Sequence, residues 1–155
     1  MTKEEHRNHE IKLVKKRREY TYMASLAHDS KRREDQLGFI RKLIKLMRST
    51  QHWSDLVQEE KNLFNSAYKN IIVAKRKQWR GIIEIMDREE KKADDARNNF
   101  KFKCINEMKE TIEDEVRELC KEWYIEAKYF LRHAYSSESR VFYMKIKADT
   151  FRYLA

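Results

Sequence analysis

The stretch LVQEEKNLFNSAYKNIIVAKRKQWRGIIEIM, Leu56 to Met86, decides the fold class. Leu56, Leu63, Ala67, Ile71 and Ala74 recur at helical spacing on one side, and Phe64, Tyr68, Ile72, Trp79, Ile82, Ile83 and Met86 widen the same apolar face. A helix of about 30 residues at about 1.5 Å per residue would exceed ~40 Å. Further along, Ile105, Met108, Ile112, Val116, Leu119, Trp123, Ala127, Phe130 and Leu131 form a second long stripe at three and four spacing. Upstream, Leu37, Ile40, Leu43, Ile44 and Met47 mark a shorter amphipathic helix, with Ser49-Thr50-Gln51-His52 able to break and recap the chain after it.

The two ends of the chain fit the same class. Thr2-Lys3-Glu4-Glu5 has the form of a capping box, which starts a first helix with Ile11, Leu13 and Val14 on its apolar face. Tyr20, Met23, Leu26 and Ala27 continue into a second helix. The charged run Asp87 to Arg97 reads as an exposed junction or solvated helix end, and Ser136 or Ser137 caps a last helix carrying Val141, Phe142, Ala148 and Leu154. The expectation is one all-α domain over residues 1–155, an antiparallel helical array without strands.

Composition removes the competing classes. The 155 residues contain no Pro and two isolated Gly, Gly38 and Gly81, so neither the primed turns of a β-sandwich nor a Gly-rich phosphate loop can be built. Apolar runs reach only four residues, as in Ile71 to Ala74, against about 18 for a membrane span. The opening residues have no apolar leader segment, so a cytoplasmic location is expected. Cys104 and Cys120 stand 16 apart without a CxxC pair and read as reduced, helix-packed thiols. Among the five histidines only His6 and His9 are close, with no thiol or carboxylate set to complete a metal site. No nucleophile motif is present, and the chain reads as a non-enzyme requiring no cofactor.

Charge is uneven. Residues 1–50 hold 14 basic and 7 acidic groups, which is +7 of the total +9. Two basic helical segments stand out elsewhere. Lys69 and Arg76 are two turns apart on one face with Arg80 a turn further, and Lys145, Asp149 and Arg152 share a face at i, i+4 and i+7. Two such faces brought together make a pocket of cations held by a carboxylate. Guanidinium forks match phosphate oxygens, so a phosphoryl group is the ligand this chemistry favours. Solvated basic stripes paired with nearby acids remain the alternative at this point.

The order of these residues resembles the 14-3-3 family. Glu59 to Arg80 looks like the family's third helix, and Ser139 to Ala155 looks like its fifth. Weaker similarity covers Lys12 to Ala24 and Glu113 to Cys120. The resemblance implies the first five helices of a nine-helix fold, a domain incomplete at its C-terminus, and an inserted helix or helical extension near residues 28–52. It also implies an adaptor that grips phosphoserine or phosphothreonine peptides of signalling partners. By matching position, Lys69, Arg76 and Arg152 would be the basic phosphate ligands, Tyr153 a hydroxyl donor, and Lys145 and Asp149 groove residues. Val73 and Ala148 stand where the family has Gly, and Lys75 where it has Arg. The rival reading is a basic helical module binding nucleic acid or an anionic membrane through residues 1–50. Under the family reading neither nucleic acid nor a membrane span is expected.

The family pairs through its first helices against the third and fourth of a partner. The matching positions here are Leu13, Arg17, Glu19, Tyr22, Ile82, Met108, Thr111 and Glu115. Glu19 would face Glu115 and Tyr22 would face Thr111, so one ion pair becomes two like charges, and Arg17 stands where a small residue packs. A monomer or a weakened, altered homodimer is the expectation.

Overall fold

The computed structural model describes residues 1–50, 55–92 and 99–155. Among the described residues five helices follow one another: α1 Lys3–Asp29, α2 Arg33–Ser49, α3 Gln58–Lys92, α4 Asn99–His133 and α5 Ser137–Leu154. No strand occurs among the described residues. The break expected at Ser49 to His52 and the junction expected over Asp87 to Arg97 lie partly outside the described residues, although α2 does end at Ser49 and α3 does run into the charged run as far as Lys92.

α1 starts where the capping box places it. Thr2 accepts from the Glu5 N–H at 3.2 Å and Glu5 reaches back to the Thr2 N–H at 2.6 Å. The two helices read from residues 2–29 are a single helix of 27 residues. Nothing between Lys15 and Tyr20 can stop it: the charged run there contains no Gly, no Pro and no capping side chain. The helix expected near residues 28–52 is present as α2, so the chain has five described helices, with α2 second in line. Between α1 and α2 the chain reverses on Ser30 to Arg32, with Lys31 at φ 61° and the Arg32 N–H bonded to the Ala27 carbonyl.

Each helix packs on the next, α1 on α2, α2 on α3, α3 on α4 and α4 on α5. α2 buries Gln36, Leu37, Ile40, Leu43, Ile44 and Met47, the strongest amphipathic face in the chain for its length. α3 and α4, at 35 residues each, reach about 50 Å. Their aromatic contacts fill the centre: Tyr68 stacks on Trp123 at 5.8 Å, and Phe130 on Tyr143 of α5 at 5.7 Å. Fully burying side chains of this size contributes roughly 1.5–3 kcal/mol each, which explains why the core lies between α2 and α5. α1 adds Ala24 and the half-buried Tyr20 to that core, and its first ten residues are all exposed.

Ion pairs clamp the helices at the surface. Arg41 and Arg48 of α2 hold Glu122 and Glu126 of α4, both at 2.9 Å, and Lys75 of α3 holds Glu115 of α4 at 2.7 Å. No described helix is long and apolar enough to cross a membrane.

Candidate functional site

α3 and α5 approach each other at Tyr153, and there two of the three expected cationic ligands, Arg76 and Arg152, meet. Arg76 on α3 is half-buried with its Cζ 5.2 Å from the Tyr153 ring centroid. Arg152 on α5 places its Cζ 4.8 Å from the same ring and donates from Nη2 to the Tyr153 hydroxyl at 3.2 Å. Asp149, one helical turn back, lies 3.5 Å from the same Arg152 nitrogen, Nη2. Tyr153 is therefore an aromatic platform, 7% exposed, with a guanidinium from each helix against it. Its hydroxyl points the Arg152 fork, and Asp149 keeps that fork from swinging away. An oxyanion arriving here meets two planar donors, Arg76 and the Asp149-paired Arg152.

Lys69 and Lys145 are not part of that contact. Lys69 is exposed two turns before Arg76, about 10 Å along α3, and Lys145 is exposed two turns before Arg152. They extend the positive face along each helix. Cys120 of α4 sits beneath the site; burial pushes its thiol up to about 11, with Arg76 pulling the other way.

A neighbouring cleft of about 430 Å³ brings in Arg80, already on the basic face of α3, and adds Glu113 and Arg117, which spacing did not single out. Trp79, Arg80, Glu113, Val116 and Arg117 line it together with Arg76 and Tyr153. Trp79 was readable only as part of the apolar face; its indole N–H in fact donates to Glu113 at 3.0 Å, which fixes the wall beside Arg76.

The residues matched to the family's pairing surface have intrachain partners that alter the charge argument. Arg17 is bonded to Glu60 rather than left uncompensated, Glu19 lies 3.6 Å from Lys16, and Glu115 is held by Lys75. Neither Glu19 nor Glu115 is thus a bare carboxylate, because each has a cation within reach on its own chain. Tyr22 and Met108 are exposed, Leu13 and Ile82 half-buried, and the Thr111 hydroxyl is turned back to the Glu107 carbonyl.

Comparison with known proteins identifies the family. The 14-3-3 protein family profile matches residues 23–155. The chain is 34% identical over 142 residues to the 14-3-3-like protein GF14 iota of Arabidopsis thaliana, covering 91% of this chain and 49% of that protein. It is 36% identical over 140 residues to 14-3-3 protein 2 of Solanum lycopersicum, with 90% and 52% covered. The checkpoint signal transducer rad24 of Schizosaccharomyces pombe is also 36% identical over 140 residues, with 90% and 48% covered. The chain spans about half the length of the curated relatives it matches. With the profile running from the end of α1 to the last residue, across both helices that carry the cation site, the chain belongs to the 14-3-3 family.

Proposed function

We propose that this chain binds phosphoserine- or phosphothreonine-containing peptides of signalling proteins, as an adaptor that acts by binding and not by catalysis. The observation that carries the reading is the pair Arg76 and Arg152, brought from two helices onto one tyrosine ring. A phosphorylated side chain brings about −1.5 to −2 charges and three acceptor oxygens, which suits two guanidinium forks and a phenolic hydroxyl. Lys69 and Lys145 add long-range attraction along the peptide path, and the cleft beside Trp79 offers room for a flanking side chain. A phosphopeptide and its unphosphorylated twin, titrated at about physiological ionic strength, where the Debye length is ~8 Å, separate this from general polyanion binding. Strong discrimination is expected, and it should fall in Arg76→Lys and Arg152→Lys, which keep the charge and lose the fork. Equal binding of the two peptides would end the proposal.

Polyanion binding through residues 1–50 is the weaker reading. Three arginines of that segment, Arg17, Arg41 and Arg48, are engaged by Glu60, Glu122 and Glu126, so part of the N-terminal excess serves helix packing.

A further inference from the structure

A second polar cluster joins α3 and α5, at the far end from the phosphate site. Asp55, just before α3, accepts from the Tyr143 hydroxyl at 2.5 Å and from the Leu56 N–H at 2.8 Å, and its other carboxylate oxygen is 3.5 Å from Lys61 Nζ. Lys61 Nζ also donates to Ser139 Oγ. Lys61, Ser139 and Tyr143 are 8%, 3% and 0% exposed. A lysine this deep is costly unless its charge and donors are met, and the Asp55 carboxylate, the Ser139 hydroxyl and the nearby Phe142 and Tyr143 rings meet them. None of these groups reaches the phosphate site.

Their value lies in what they fix. α3 and α5 each pack chiefly on α4, so their mutual register depends on α4 and on a few direct side-chain links. Those links form two rungs. One joins Lys61 to Ser139, and the other sets Arg76 against Tyr153. From Lys61 to Arg76 is 15 residues, and from Ser139 to Tyr153 is 14, about 22 and 21 Å of helix rise. The rungs are therefore matched in length on two helices running the same way, and a slip of one residue at the first rung would rotate Arg152 and Tyr153 by about 100° away from Arg76.

We propose that Asp55, Lys61, Ser139 and Tyr143 are positioning residues that lock the register of α5 against α3 and so hold Arg152 and Tyr153 opposite Arg76. The consequence for binding rests on the phosphopeptide reading; the register lock itself does not.

The test uses the full chain with Tyr143→Phe, Asp55→Asn, Lys61→Met and Lys61→Arg, and with Arg48→Gln as a control that breaks an interhelical ion pair elsewhere. Without ligand, the side-chain Nε–H resonances of Arg76 and Arg152 are recorded by NMR at a temperature where circular dichroism shows each variant folded. Tyr143→Phe, which keeps the ring, and Asp55→Asn should shift both resonances, whereas Lys61→Arg and Arg48→Gln should not. With a synthetic phosphoserine peptide, the first two and Lys61→Met should lose about tenfold in affinity, the loss expected for one hydrogen bond to a charged group. Arg48→Gln should stay within about twofold, less than half a kcal/mol. Unmoved arginine resonances in folded Tyr143→Phe and Asp55→Asn, or equal shifts in the control, would overturn the proposal. Should the unmodified chain fail to distinguish the phosphopeptide from its twin, the functional reading falls, and the arginine resonances still decide the register lock.

Discussion

Arg17 of α1 grips Glu60 in the first turn of α3 with both ends of its fork, Nε to Oε2 at 2.7 Å and Nη2 to Oε1 at 2.5 Å. The Glu60 side chain is 3% exposed, accepts from the Val57 N–H at 2.8 Å as well, and has the Thr21 hydroxyl 3.4 Å away. This is the point at which the long first helix is tied to the body of the array. Removing Arg17 alone strands a buried carboxylate, so Arg17→Ala should cost about 3–5 kcal/mol in urea unfolding. The double variant Arg17→Met, Glu60→Gln should recover most of that loss, because the glutamine oxygen can still accept from Val57 while no charge is left unpaired. A single-variant cost under about 1 kcal/mol, the range of an exposed surface pair, would contradict the anchoring role.

Tyr153→Phe isolates the hydroxyl from the ring. The ring stays beneath both guanidiniums, so the fold should be unaffected, but Arg152 loses the acceptor that points it. Phosphopeptide affinity should drop by roughly fivefold, the worth of about one hydrogen bond, while the unphosphorylated twin is unchanged. Isothermal titration of both peptides gives the answer, and an unchanged phosphopeptide affinity would remove Tyr153 from the site.

The two cysteines should behave oppositely toward alkylation. Cys104 is exposed, while Cys120 is buried, with its thiol pushed up to about 11. The thiolate is the reactive form, so one thiol per chain should react promptly with iodoacetamide at pH 8 and the second only on unfolding. Because the folded thiol holds its proton more tightly than the unfolded one, its contribution to stability is complete below the ordinary thiol value of 9 and is lost as pH rises toward 11. Rapid labelling of both thiols in the native chain would show that α4 opens readily at Cys120.

Much of the architecture was legible because it rests on local signals. The Thr2 capping box, the α2 face from Leu37 to Met47 and the Ser136 cap of α5, which accepts from the Ser139 N–H at 3.1 Å, are written in neighbouring residues. The union of residues 3–29 into one helix was not, since a charged run without apolar periodicity looks like a break even where no residue stops the helix. That Arg76, Arg152 and Tyr153 share one site is what the family resemblance implies; spacing alone offers two basic faces and does not mark Tyr153. Nothing in the sequence marks Lys61: its burial depends on Asp55 and on Ser139, 78 residues away, a pairing that no spacing rule conveys. Arg17 and Glu60, 43 residues apart, were hidden for the same reason.

Glu126 offers a pH signature of the clamp between α2 and α4. Its carboxyl is raised above the ordinary value, chiefly by burial, and Arg48 at 2.9 Å pulls it back only in part. A carboxyl raised in the folded state favours folding in its protonated form; that contribution is complete below the unfolded value and is lost as pH rises through the folded one. The ionised form is therefore a cost that Arg48 offsets. Glu126→Gln, which cannot ionise, should gain stability relative to the parent chain as pH is raised from about 4 to 7, reversing the acid-side behaviour of an ordinary surface pair. Arg48→Gln should deepen the parent's pH dependence by removing the offset, and it should also lose the contact of the guanidinium, 4.4 Å from the Tyr129 ring centroid. Urea unfolding at pH 4, 5.5 and 7 decides the matter: parallel pH profiles for the parent, Glu126→Gln and Arg48→Gln would mean that Glu126 titrates as a fully solvated carboxyl.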